Sequence, residues 1–187
     1  MKEILLFPGA FNPPHMGHVS AIRAALKQYV FDELWVMPSG RRSDKDIRVD
    51  YNNRKRLGGL FVEYLGSQIS IPVKLITAEL DDKTGRYTED ILKEVKSQPG
   101  FHCTQLIGSD GYMRLKNSNH IADGEKFLIV KRSGYDLPED IQFLMTLIVS
   151  DRETKDISST MIREMVKARD VRYKELLPEK IYHYIEE

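Results

Sequence analysis

Six short runs rich in branched and aromatic side chains punctuate this chain, at residues 3–7, 33–37, 73–77, 105–107, 126–131 and 143–149. Several are unbroken rather than alternating, as in Ile4-Leu5-Leu6-Phe7, Leu34-Trp35-Val36-Met37 and Phe127-Leu128-Ile129-Val130. A strand with one wet face alternates apolar and polar residues. An unbroken run needs cover on both faces, which is the condition of strands in a parallel sheet layered between helices. The intervening segments carry the 3.6-residue period that such helices need. Val19, Ile22, Leu26, Tyr29 and Val30 form one stripe over 17–30, Leu57, Leu60, Phe61 and Leu65 a second over 54–65, and Ile91, Leu92 and Val95 a third over 88–95. Met161, Ile162, Met165 and Val166 form another, and Pro178 suits the first turn of a last helix reaching Ile185. The expected architecture is an α/β, doubly wound Rossmann-like domain with a largely parallel sheet of five or six strands, spanning 1–187 as one unit.

Such sheets bind ligands beyond the carboxyl ends of their strands. Polar clusters fall at those ends: 8–18 after the first strand, 38–46 after the second, 108–110 after the fourth and 156–160 after the last. The first cluster is the richest. Phe7-Pro-Gly-Ala-Phe-Asn-Pro-Pro-His15-Met-Gly-His18 turns out of a strand and opens a helix. Histidines three apart share a helix face, Gly17 between them removes side-chain bulk, and the free amides of a helix start attract anions. The segment reads as a phosphate site armed with imidazoles. A zinc pair would need a third ligand, and no Asp, Glu, Cys or His elsewhere has helpful spacing. Two helix-start histidines with no task remain the plain alternative.

The second cluster is Ile157-Ser-Ser-Thr160-Met-Ile-Arg163. Its hydroxyls and free amides form an anion cradle, with Arg163 one turn into the helix. Simple capping by a serine is the alternative, but a cap needs only one of the three hydroxyl residues.

Composition narrows the class. Lysine plus arginine equals aspartate plus glutamate, 28 each, which argues against a chain built to coat nucleic acid. One cysteine, Cys103, fits a reducing compartment and is expected to be inert. The N-terminal apolar run is too short for a signal peptide, and no run approaches membrane-spanning length. The expectation is a cytoplasmic protein with no nucleic-acid or membrane partner; a homo-oligomer is compatible with the sequence.

Taken together, the two clusters resemble the H-x-G-H nucleotidyltransferase superfamily, and most closely the bacterial nicotinate-nucleotide adenylyltransferases. The family's opening motif is matched by Pro8-Gly-Ala-Phe-Asn-Pro-Pro-His-Met-Gly-His18, and its closing Ile-Ser-Ser-Thr-x-Ile-Arg is present unchanged at 157–163. Gly108-Ser-Asp110, Tyr87-Thr88, Arg132-Ser-Gly-Tyr135 and Leu176-Leu-Pro178 match weaker motifs between and beyond them. The resemblance implies adenylyl transfer from ATP to nicotinate mononucleotide, with pyrophosphate released and Mg²⁺ held mainly through the ATP phosphates. It implies catalytic roles for His15, His18 and Arg163. An ATP site would be formed by Gly9, Ala10, Phe11, His15, His18, Gly108, Asp110, Ile157, Ser158, Ser159, Thr160 and Arg163. The acceptor would meet Asn12, Lys45, Arg54, Tyr87, Thr88, Tyr112 and Arg132. No metal is expected on protein ligands alone.

The acceptor half departs from the family. The family's tryptophan after the Gly-x-Asp motif, which stacks on the acceptor ring, is absent; the stretch reads Leu115-Lys-Asn-Ser-Asn-His120. Trp35 sits inside a strand and is expected to pack in the core. Tyr112 and His120 are the flat side chains left nearby, and Arg41 and Arg42 join Lys45 as cations after the second strand. Nicotinamide mononucleotide or another phosphate ester therefore stands as an alternative acceptor. A non-catalytic ATP-binding regulatory module stands as an alternative class.

Overall fold

Each of the six apolar runs becomes a strand. The computed structural model describes residues 1–40, 50–82, 84, 86, 88–119, 121, 125–131, 145–147 and 157–186, with backbone alone at Thr88 and at 145–147. The strands are β1 (Lys2–Gly9), β2 (Glu33–Pro38), β3 (Val73–Leu75), β4 (Phe101–Gly108), β5 (Lys126–Val130) and β6 (Met145–Leu147). They form one sheet in the order β3-β2-β1-β4-β5-β6, and every neighbouring pair is parallel. The helices are α1 (Met16–Gln28), α2 (Tyr51–Gln68), α3 (Ala78–Asp81), α4 (Thr88–Lys96), α5 (Ser109–Asn117), α6 (Ser159–Lys167) and α7 (Glu179–Glu186), with a 3₁₀ turn at Val171–Leu176.

The unbroken runs are explained by cover on both faces. Leu5, Phe7, Leu34, Val36, Leu106 and Leu128 point to one face and pack with Val19 and Ile22 of α1, Phe61 of α2, Ile162 of α6 and Ile181 of α7. Their neighbours in sequence point the other way. Ile4, Leu6, Trp35 and Met37 meet Ile91, Leu92 and Val95 of α4, while Phe127 and Ile129 meet Tyr112 and Leu115 of α5. Period-two alternation persists, but both faces are apolar because both are buried.

Some elements differ from the sequence reading. β4 begins at Phe101, well before the expected 105, because the parallel ladder to β1 pairs Lys2 with Phe101 and Glu3 with His102. α2 starts at Tyr51 because Asp50 caps it, its carboxylate accepting the Asn53 N–H at 3.1 Å. Val30 is not part of the first stripe. α1 ends at Gln28, Val30 is 93% exposed, and the chain turns so that the Asp32 N–H can donate to the Glu3 carbonyl at 2.8 Å. Ala21 and Ala25 take the buried helix positions instead. α3 and α5 were not anticipated. No described helix is long and apolar enough to cross a membrane.

At the amino end of the sheet, Glu33 is a buried carboxylate with three donors. Lys2 and Lys74 reach it from the flanking strands, Lys74 at 2.7 Å, and Trp35 Nε1 donates at 2.8 Å. Trp35 is thus a core residue, as expected. The Lys2, Lys74 and Trp35 hydrogen bonds hold the Glu33 pKa down at about 2, against an ordinary 4.5. A depressed carboxylate stabilises the fold above its unfolded pKa, and that contribution fades as pH falls through the folded value. Glu33→Gln should therefore lower stability at pH 7 by about 1–3 kcal/mol. The gap from wild type should narrow as pH drops from 4.5 towards 2 in urea melts. A gap that stays constant over that range would mean that the charge of Glu33 contributes nothing.

Candidate active site

The strand order reverses direction at β1. Its connection crosses to one side of the sheet through α1, and β4 leads to α5 on the other, so a crevice opens between the carboxyl ends of β1 and β4. A cleft of about 500 Å³ occupies that position. It is walled by the β1–α1 loop, the β4–α5 junction and the start of α6. First-turn residues of three helices line it, His18 of α1, Asp110 and Gly111 of α5 and Ser159 and Thr160 of α6, so three helix amino termini with their positive dipole ends face one space.

The β1–α1 loop is held from beneath by aromatic packing. Phe11 adopts a positive φ of 44°, a strained conformation for a residue with a bulky side chain, and its side chain is almost wholly buried. The ring centroid of Phe11 lies 5.3 Å from Phe7, 5.6 Å from Phe61 and 5.0 Å from His18. Gly9 is required by the same packing: a Cβ there would stand 2.9 Å from Phe11 Cζ. The loop delivers His15 as the cap of α1 and His18 as its third residue. The His15 N–H donates to His18 Nδ1 at 3.1 Å, so in the neutral ring the His18 proton resides on Nε2. The two imidazoles stack with centroids 3.7 Å apart, and both line the cleft.

The α6 hydroxyls divide their tasks. Ser158 is the cap, accepting the Met161 N–H at 3.1 Å, so the plain capping reading holds for that residue. The Ser159 hydroxyl donates to the Pro13 carbonyl at 2.9 Å. Arg163 donates to the Asn12 carbonyl at 2.8 Å and to Thr160 Oγ1 at 3.1 Å. Ile157 is buried in the core beside Ile162 and anchors the segment from below. The two motif clusters are therefore joined directly.

Arg54 takes a different place from the one expected for an acceptor ligand. It is buried and absent from the cleft lining; its guanidinium donates to the carbonyls of Gly40 at 3.1 Å, Ala10 at 3.4 Å and Ser39. Burial pulls its pKa down, and the charge of nearby Glu79 opposes that. Arg54 thus clamps the chain ends that leave β1 and β2. Gly40 allows the close approach this needs, since a Cβ there would stand 2.4 Å from the Glu79 carbonyl oxygen. Tyr112 also lies away from the cleft, packed edge-on against Phe127 at 5.6 Å. A tyrosine two residues after Asp110 on a helix turns towards the sheet, because α5 needs Tyr112 and Leu115 for its buried side.

Gly9, Ala10, Phe11, Asn12, Gly108, Asp110, Ser158, Ser159 and Thr160 all line the cleft with the two histidines and Arg163. Lys45, Tyr87 and Arg132 lie outside the described residues, as do Arg41, Arg42 and His120; Thr88 begins α4. The sequence reading missed Ser39, Glu89, Leu92, Gln105, Arg114 and Leu115 in the lining. Two of these carried a signal. Gln105 is a polar residue in an apolar central strand, and Arg114 stands one helical turn after Asp110. Cys103 is half-buried, and burial pushes its thiol up to about 11, which fits the expected inertness.

Among the described residues, no three His, Cys, Asp or Glu side chains gather into a metal cage. The carboxylates in the cleft lining are Glu89 and Asp110. That donor set fits a hard divalent ion carried largely on ligand phosphates and water.

Known proteins match this arrangement. The cytidylyltransferase-like family pattern matches residues 6–165, which include both motif clusters. The nicotinate-nucleotide adenylyltransferase of Bacillus subtilis is 29% identical over 195 residues, covering 100% of this chain and 97% of the relative. A Halalkalibacterium halodurans protein named "Probable nicotinate-nucleotide adenylyltransferase" is 30% identical over 192 residues, covering 100% of this chain and 90% of its own length. The solved structure of Plasmodium falciparum nicotinic acid mononucleotide adenylyltransferase complexed with APC has the same fold, with a TM-score of 0.76 at 19% identity over 99% of this chain and 94% of that one. With the cleft at the strand-order switch and both motifs on its walls, the chain belongs to the cytidylyltransferase-like family, alongside the nicotinate-nucleotide adenylyltransferases.

Proposed function

We propose that the chain transfers the adenylyl group of ATP to the 5′-phosphate of nicotinate mononucleotide, giving nicotinate adenine dinucleotide and pyrophosphate. One observation carries this reading. Ser159 and Arg163 hydrogen-bond to Pro13 and Asn12, 146 and 151 residues away, and so hold two anion-binding helix starts on one cleft. A triphosphate spans such a pair, whereas a single phosphate needs only one. The full-length similarity to nicotinate-nucleotide adenylyltransferases supports the choice of acceptor.

The chemistry asks little of the protein in proton transfer. An oxygen of the acceptor phosphate, already anionic at neutral pH, attacks the α-phosphorus of ATP as the bond from that phosphorus to the bridging oxygen of pyrophosphate breaks in line. Catalysis then rests on positioning and on stabilising charge. In this reading the imidazoles of His15 and His18 hold the ATP phosphates, with His18 nearest the α-phosphate. The free amides at the start of α6, Thr160 and the Arg163 guanidinium take the β- and γ-phosphates. Ser159 serves through its backbone N–H, because its hydroxyl is committed to Pro13. Gly108 and Asp110 line the nucleoside part, with Gly9, Ala10 and Phe11 forming the opposite wall. Lys45, Tyr87, Thr88 and Arg132 complete the acceptor side in this reading. Mg²⁺ bound through the ATP phosphates would neutralise part of their charge.

The direct test is pyrophosphate release on mixing the protein and ATP with nicotinate mononucleotide, nicotinamide mononucleotide or another phosphate ester. Turnover is expected with nicotinate mononucleotide; tight ATP binding without turnover of any acceptor would instead leave a regulatory module. His18→Ala should lower kcat by about a hundredfold or more, with ATP affinity changed by only about threefold. Equal losses in both would assign His18 to ground-state binding. Arg163→Ala should raise the apparent KM for ATP about tenfold. An unchanged KM would remove the guanidinium from the triphosphate.

A further inference from the structure

The acceptor half of the cleft contains a cation that no motif singles out. Arg114 is an exposed side chain of α5, one turn beyond Asp110, and both line the cleft. Its guanidinium folds back towards the start of the helix: Nη2 lies 3.9 Å from where a Gly111 Cβ would be. The cleft's other described arginine, Arg163, donates to Asn12 and Thr160 and belongs to the triphosphate in the proposed reading. Among the described residues, the Arg114 guanidinium has neither an ion-pair nor a hydrogen-bond partner, although Glu89 and Asp110 share the lining with it. A charged fork with five donors stands at the wall of the cleft, hydrated and open to a ligand.

The surroundings define the ligand. Leu92 and Leu115, together with Glu89 and Gln105, are shared between the main cleft and a side recess of about 130 Å³. Its volume is close to the ~150 Å³ that holds one benzene ring, with Leu92, Leu115 and Ile121 as its apolar part among charged and polar side chains. Lys96, at the recess wall, is already shared by Gln105 at 2.9 Å and Glu125 at 3.0 Å. Lys93 there is exposed, as Arg114 is, but carries a compact ammonium rather than a bidentate fork, and Glu89 and Asp90 repel an anion. Arg114 lines the main cleft next to Leu115, outside the recess, and is the forked cation on the side from which an anionic ring would enter.

We infer that Arg114 is a specificity-determining residue, pairing with the carboxylate on the acceptor's aromatic ring while Leu92 and Leu115 flank that ring. The inference rests on the proposed adenylyl transfer and deepens it. Arg114 selects an acidic ring over its amide, and it supplies in this chain a recognition that does not depend on a stacking tryptophan.

Nicotinate and nicotinamide mononucleotides carry the same ribose and 5′-phosphate, so comparing them isolates the ring carboxylate. In Arg114→Gln, kcat/KM for nicotinate mononucleotide should fall about thirtyfold, with that for nicotinamide mononucleotide and the KM for ATP changed by less than about twofold. Arg114→Lys should fall between the variant and wild type, keeping the charge but losing the fork. Where the amide turns over too slowly to follow, calorimetric Kd values for the two mononucleotides give the same comparison. A parallel loss for both acceptors would mean a phosphate or structural contact, and an unchanged ratio would mean no contact; either overturns the inference while leaving the adenylyl transfer standing. A wild-type protein that turns over neither acceptor would remove the transfer itself, and this inference with it.

Discussion

Two hydrogen bonds to backbone carbonyls close this molecule's cleft: Arg163 to Asn12 at 2.8 Å and Ser159 to Pro13 at 2.9 Å. They fasten the start of α6 to the loop leaving β1. Without them, the two clusters would be separate anion sites, each of the modest strength of one helix terminus. Joined, they present donors of both helices to one crevice, where charge-assisted hydrogen bonds from both can act together. The carbonyls are good anchors because loop backbone has acceptors to spare and Arg163 has donors to fill them.

The loop itself is braced from two sides. Below it, Phe7, Phe11 and Phe61 surround the His18 ring, and the strained backbone at Phe11 is held by that packing. Beside it, Arg54 ties Ala10 to Ser39 and Gly40, so one side chain links the chain leaving β1 to the chain leaving β2. A buried arginine with carbonyl partners stiffens a site without offering a charge to a substrate. The contrast with Arg114 follows from burial and partners rather than from residue type.

Much of the fold was legible because burial on both faces writes itself into composition. The runs around Leu5, Val36 and Leu128 are apolar throughout, and only a sheet covered twice makes that pattern pay. The exact extent of β4 was not legible, since Phe101-His-Cys-Thr104 becomes strand through pairing with β1 rather than through its own pattern. α5 was hidden because its polar face, with Asp110 and Arg114, reads as a turn and a charged stretch when taken alone. Arg54 and Tyr112 were chemically plausible ligands, and only their burial shows that the described structure uses them for packing and bracing.

The sequence by itself determined the kind of chemistry. His15-Met-Gly-His18 and Ser158-Ser-Thr160 through Arg163 carry the donors suited to phosphate, because local spacing at helix starts sets which groups share a face. The tertiary structure alone decided that they line one cleft, and which of the described arginines are buried and which reach that cleft. That decision lies in contacts across some 150 positions, such as Arg163 to Asn12, and in which arginines the folded chain satisfies internally. Pairing at that range depends on strand order and register, which no local spacing encodes.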